Sequence, residues 1–171
     1  LYAFCRVADD AVDLGTGAGL GGMRERLALA KAGRPLADPV DRAFADVVAG
    51  VERGEGRLDI LVNNAYSMVG ATIVDSSEED WHSNFRVTLD GTFHGIQAAF
   101  RVMEHQRRGA IVNVSSVCGL LGSMYTAAYG AAKAGVLSLT RTAALEGAPH
   151  NIRVNAVVPG VVMTPGTEAA I

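Results

Sequence analysis

Three short apolar runs, separated by long helical stretches, constrain the fold of this chain more than any other feature. The runs are Leu58-Asp-Ile-Leu-Val62, Ala110-Ile-Val-Asn-Val114 and Ile152-Arg-Val-Asn-Ala-Val-Val158. Between the first two, Trp81, Phe85, Leu89, Phe93, Ile96 and Phe100 recur at helical spacing. Ser76-Ser-Glu-Glu79 reads as the capping box that opens this helix. An Ala-rich stretch from about Thr126 to Glu146 fills the second gap. Strands alternating with helices predict βαβ units of a parallel sheet buried on both faces. In such sheets ligands bind beyond the carboxyl ends of the strands. Asn63, Ser116 and Pro159-Gly160 all stand at those ends.

The Ala-rich helix carries Tyr129-Gly-Ala-Ala-Lys133, thirteen residues after Ser116. Residues i and i+4 share a helix face, so phenol and ammonium point into one space. A tyrosine ionises near pH ~10 in isolation, and a nearby cation favours the ionised form. The pair therefore predicts a phenol moved toward neutrality, able to exchange a proton. That suits alcohol/carbonyl chemistry in which a cofactor carries the hydride.

From about residue 51 to 171 the chain resembles the short-chain dehydrogenases/reductases. Asn63-Asn-Ala65, Asn113-Val-Ser-Ser116, Tyr-x-x-x-Lys, Ile152-Arg-Val-Asn155 and Pro159-Gly-x-x-x-Thr164 occur in that family's order and spacing. The resemblance implies that Tyr129 is the acid/base and that Lys133 lowers its pKa and binds the nicotinamide ribose. It implies that Ser116 orients the substrate oxygen. Asn63, Asn64 and Ala65 would lie against the adenosine side of NAD or NADP. Pro159, Gly160, Val162 and Thr164 match the segment that holds the carboxamide. Two positions depart from the family pattern: Tyr66 stands where a glycine is expected, and Thr88 where an asparagine usually supports the lysine through water.

The front of the chain reads differently. Thr16-Gly-Ala-Gly-Leu-Gly-Gly22 looks like a phosphate loop, but acidic Ala8-Asp-Asp-Ala-Val-Asp13 is a poor strand to precede one. Only 46 positions separate Gly17 from Asn63, and the intervening βαβ steps need about 70. A linker between helices is the better reading. Val40, Phe44, Val47 and Val51 follow Asp38-Pro39 at helical spacing.

Residues 1 to about 49 resemble the squalene/phytoene synthases through Tyr2-Ala-Phe-Cys-Arg6, the Asp-Asp-Ala-Val-Asp box and Ala32-Gly-Arg-Pro-Leu-Ala-Asp-Pro39. That resemblance implies Asp9 and Asp13 as Mg²⁺ ligands for a prenyl diphosphate. The second acidic box such chemistry needs is not found, and a solvated acidic helix face is the plainer expectation. The two pieces meet near residues 47–56. An assembly artefact explains that join more readily than a genuine fusion.

A net charge of −3 gives no electrostatic case for nucleic-acid binding. No apolar run reaches the ~18–20 residues of a membrane span, and no signal peptide is visible, so a cytoplasmic location is expected. Cys5 and Cys118 make no disulfide framework, and His82, His94, His105 and His150 have no metal-like spacing. Hydrogen bonding at strand ends is the simpler role for Asn113 and Asn155.

The expected fold class is α/β: a partial Rossmann-like parallel sheet with flanking helices, preceded by an all-helical N-terminal segment. The expected domains are 1–49 and 51–171. The expected function is hydride transfer between NAD(P) and a secondary alcohol or ketone, with this chain alone inactive. No metal site is expected. A homo-oligomer could form through the helices at about 78–104 and 126–146. The alternatives are a prenyl-diphosphate condensing fragment and a non-catalytic scaffold or dimerisation module. Substrate identity and the choice between NAD and NADP stay open.

Overall fold

The computed structural model describes residues 57–162. The helical segment expected over 1–49, with Asp9, Asp13 and the glycine cluster, lies outside the described residues, as do the join at 47–56 and Thr164.

The described chain runs β1 (Ile60–Asn63), α1 (Glu78–Phe85), a π turn (Arg86–Asp90), α2 (Gly91–Gln106), β2 (Gly109–Val114), a 3-10 turn (Val117–Gly119), α3 (Ala127–Gly147), a second 3-10 turn (Ala148–His150) and β3 (Ile152–Val157). The three strands are parallel in the order β1-β2-β3. Ile60 pairs with Ala110, Asn63 with Asn113, and Asn113 with Ala156, so the strands end nearly level. All three predicted strands and both connecting helices are present.

The core lies between one sheet face and α2 and α3. Leu61, Ile111, Ile152 and Val154 meet Ile96, Ala99, Met103 and Ala143 there, with Phe100 and Leu139 at the margin. The sequence predicted burial on both faces. Among the described residues one face is packed, and Ile60 on the other is 62% exposed. Successive crossovers of the same hand between neighbouring parallel strands place both helices on the same side. The Gln106 side chain completes the entry to β1. Its Nε2 donates to the Leu58 carbonyl, and its Oε1 accepts from the Leu58 amide, both at 2.8 Å.

The first helix differs from expectation in two details. Its cap is Ser77 rather than Ser76: the Ser77 Oγ accepts from the Asp80 amide at 3.1 Å and donates to its carboxylate at 2.6 Å. The acid that answers the cap is thus Asp80, not Glu79. The single helix predicted over 78–104 is interrupted by the π turn at Arg86–Asp90, which holds buried Thr88. Such one-turn widenings change the phase of the side chains beyond them.

Candidate active site

Lys133 is a buried cation. It is 2% exposed, because α3 lies across the carboxyl end of β2 and turns this position inward. Its Nζ donates to the Val114 carbonyl at 2.6 Å. A buried ammonium needs such partners, since burial without them costs several kcal/mol. Two aromatic rings add to this. The Nζ stands 5.6 Å from the Tyr129 ring centroid and 5.4 Å from that of Tyr66. Both distances suit cation–π attraction.

Ser116 is brought to the same place by the end of β2. Its backbone is extended, and its Oγ accepts the Cys118 amide at 3.2 Å, which starts the 3-10 turn. The neighbouring Ser115 donates its hydroxyl to the Lys133 carbonyl at 2.9 Å, tying loop to helix. Glycines let the two approach. A Cβ on Gly130 would stand 2.8 Å from the Cys118 carbonyl, and one on Gly119 would stand 2.9 Å from the Ala134 amide. Composition and spacing gave no hint of Gly130; only the packed turn shows why a side chain is excluded there.

Tyr129 is half-buried and its phenol pKa lies above the ordinary value of 10.0. Burial is the largest cause, because a phenolate there loses hydration. The Ser116 hydrogen bond pulls the other way, while Cys118 and Tyr66 add smaller upward pushes. This corrects the expectation from the sequence, which saw a cation four residues away but not the desolvation. At neutral pH the phenol holds its proton.

The proposed cofactor positions divide. The Asn63 side chain is buried on the α2 side of the sheet, where its Nδ2 donates to Asn113 Oδ1 at 2.8 Å. Asn113 in turn donates to Thr140 Oγ1 at 2.9 Å. Asn113 therefore does structural work at a strand end, as expected, and Asn63 shares it. Asn64 is exposed and Ala65 half-buried. Asn155 is exposed on β3. The Pro159 carbonyl accepts the Val117 amide at 3.0 Å, which sets Pro159 beside the Ser116 loop. Among the described residues this strand end is open: a Cβ on Gly160 would meet no atom within 4 Å, and Val161 and Val162 are exposed.

Thr88 replaces the expected asparagine with a different network. Its Oγ1 accepts the Ser67 amide at 3.1 Å and donates to the Ser67 carbonyl at 3.4 Å, and its own carbonyl accepts Thr92 Oγ1 at 2.7 Å. Among the described residues no group of three or more His, Cys, Asp or Glu could hold a metal ion.

Parallel strands, two helices on one face and polar groups gathered beyond the strand ends define a Rossmann-like α/β protein. A family model described as short chain dehydrogenase matches residues 37–170. The chain is 48% identical over 123 residues to a 3-oxoacyl-[acyl-carrier-protein] reductase of Thermotoga maritima, covering 72% of this chain and 50% of that protein. It is 46% identical over 123 residues to a trans-4-hydroxycyclohexanecarboxylate dehydrogenase of Sinomonas cyclohexanicum, with 72% and 47% covered. A solved structure of ElxO with NADP bound superposes with a TM-score of 0.68 at 34% identity, covering 74% of this chain and 51% of that one. An NAD⁺-bound xylitol dehydrogenase gives 0.66 at 39% identity, with 71% and 47% covered. The chain belongs to the short-chain dehydrogenase family. It spans about half the length of the curated relatives it matches.

Proposed function

We propose that this chain carries the proton-handling centre of an NAD(P)-dependent oxidoreductase that interconverts a secondary alcohol and a ketone. The observation that carries the reading is the meeting of Ser116, Tyr129 and Lys133 beyond β2, with the Ser116 hydroxyl acting on the Tyr129 phenol. A bound nicotinamide would supply or accept the hydride.

The residues divide the remaining work. Tyr129 holds a proton at its Oη at neutral pH, the form that gives a proton to a ketone oxygen. Ser116 offers a second hydroxyl to the same oxygen and steadies it. Lys133 sets its Nζ 5.6 Å from the Tyr129 ring centroid, where an ammonium eases the negative charge left when the proton departs. Asn64 and Ala65 offer backbone to the adenosine half, and Asn63 holds that segment in place through Asn113. Pro159, Gly160, Val162 and Thr164 would receive the carboxamide. Residues 51–171 are read as a partial nucleotide-binding domain. Pairing of two copies through α1, α2 and α3 belongs to the same proposal, supported by exposed Trp81 and Phe93.

Nucleotide binding tests the reading directly. The purified chain is titrated with NADH and NADPH while the nicotinamide fluorescence is followed. Binding that weakens about tenfold or more in Lys133→Ala is expected, since that variant removes a buried charge contact. Binding unaltered by Lys133→Ala would sink the assignment. Where reduction of a ketone is measurable, Tyr129→Phe abolishes it while leaving nucleotide affinity within a few-fold.

A further inference from the structure

We propose that Tyr66 is a lid on Lys133, a gating residue that a nicotinamide nucleotide must displace to reach the ammonium. The class of the displacing ligand rests on the function proposed above; the lid itself rests on geometry.

The Tyr66 and Tyr129 rings lie 6.0 Å apart, edge to face at 64°. The Lys133 Nζ is within cation–π range of both. Tyr129 stands on a long helix, half-buried, with its phenol hydrogen-bonded to Ser116. Tyr66 lies between β1 and α1, outside any helix or strand, and is 40% exposed. The covering ring is therefore on the movable side of the sandwich. Its backbone is nonetheless held: the next residue, Ser67, is gripped by Thr88, and Ala71 donates to the Tyr125 carbonyl at 3.2 Å. A ring on an anchored backbone opens by side-chain rotation, not by loop departure. A glycine at this position would leave the ammonium without that cover. The upward push of Tyr66 on the Tyr129 pKa agrees with two phenols facing one another.

The sequence offers a clean probe, because Lys31 and Lys133 are the two lysines of the chain. In a Lys31→Arg background, acetylation of Lys133 by N-hydroxysuccinimidyl acetate is timed by peptide mass spectrometry. Circular dichroism confirms that each variant keeps its fold. Tyr66→Gly is expected to label about tenfold faster than the parent, and Tyr66→Phe to label like the parent, because the ring survives. Should Tyr66→Gly unfold, Tyr66→Ala decides. NADPH is expected to slow labelling of Tyr66→Gly at a lower concentration than it slows the parent. Equal labelling of the parent, Tyr66→Gly and Tyr66→Ala overturns the lid. So does protection of the parent at the same or a lower NADPH concentration than Tyr66→Gly. Faster labelling in the small variants with no protection by NADH or NADPH in any of them upholds the cover on Lys133, and counts against the nucleotide reading instead.

Discussion

The Thr88 hydroxyl is bonded to both backbone groups of Ser67, accepting from its amide and donating to its carbonyl. Thr88 and Tyr66 are the two positions that the sequence marked as unlike the motifs it resembles. The bonds to Ser67 join them: Thr88 fixes the backbone next to the ring that covers Lys133. Thr88→Val keeps the shape and leaves a buried amide unpaired, a loss of about 1–3 kcal/mol. Thr88→Ser should recover most of it. Urea unfolding of the two variants measures the difference.

Asn113 links β1 to α3 through two side-chain bonds, one from Asn63 and one to Thr140. Asn113→Ala orphans the Asn63 amide and opens a small cavity, at a combined cost of about 2–4 kcal/mol. A thermal or urea midpoint unchanged from the parent would show that the link contributes nothing.

Close contact at Gly130 sets the height of the Ser116 loop above α3. Gly130→Ala drives a methyl group toward the Cys118 carbonyl, backbone against backbone, so neither side yields easily. The expected destabilisation is about 1–3 kcal/mol. Loss of the Ser116 effect on the Tyr129 ionisation should accompany it, read from the phenolate absorbance during a pH titration.

Tyr129 links this site to stability at high pH. Its folded pKa is raised, so as pH climbs past about 10 the unfolded chain releases that proton first. Its contribution is complete below that pH and is lost as pH rises through the folded value. Tyr129→Phe should flatten this part of the stability profile. Ser116→Ala removes the hydrogen bond that pulls the Tyr129 pKa down and should raise it further. A pKa that falls in Ser116→Ala would contradict that arrangement.

The strands, the two helices and the Ser116, Tyr129, Lys133 grouping were legible because each depends on local periodicity or fixed spacing. Strand ends and an i,i+4 pair need no knowledge of distant residues. What escaped depends on which groups meet across the fold. Nothing local turns the Asn63 amide inward to Asn113, and nothing local marks Gly130 as a contact with Cys118. The direction of the Tyr129 pKa went astray for the same reason. The spacing shows a cation four residues away, while the burial that raises the pKa comes from packing around the ring that no local segment reveals. Tyr66 itself was visible as an anomaly, but its ring contact with Lys133 required the third dimension.

The π turn at Arg86–Asp90 carries one residue more than a regular helix of the same reach requires. Straightening the turn into regular helix at unchanged length would offer the backbone a smoother path and fuller hydrogen bonding. It would also rotate α1 against α2 by about 100°. Thr88 would swing away from Ser67, and the stripe of α2 that meets the sheet would no longer agree with the stripe of α1. The wider turn thus absorbs the surplus residue and keeps the two helices in phase. Its removal by deletion is the tolerated change, and its removal by straightening costs the alignment that holds Ser67 beside Tyr66.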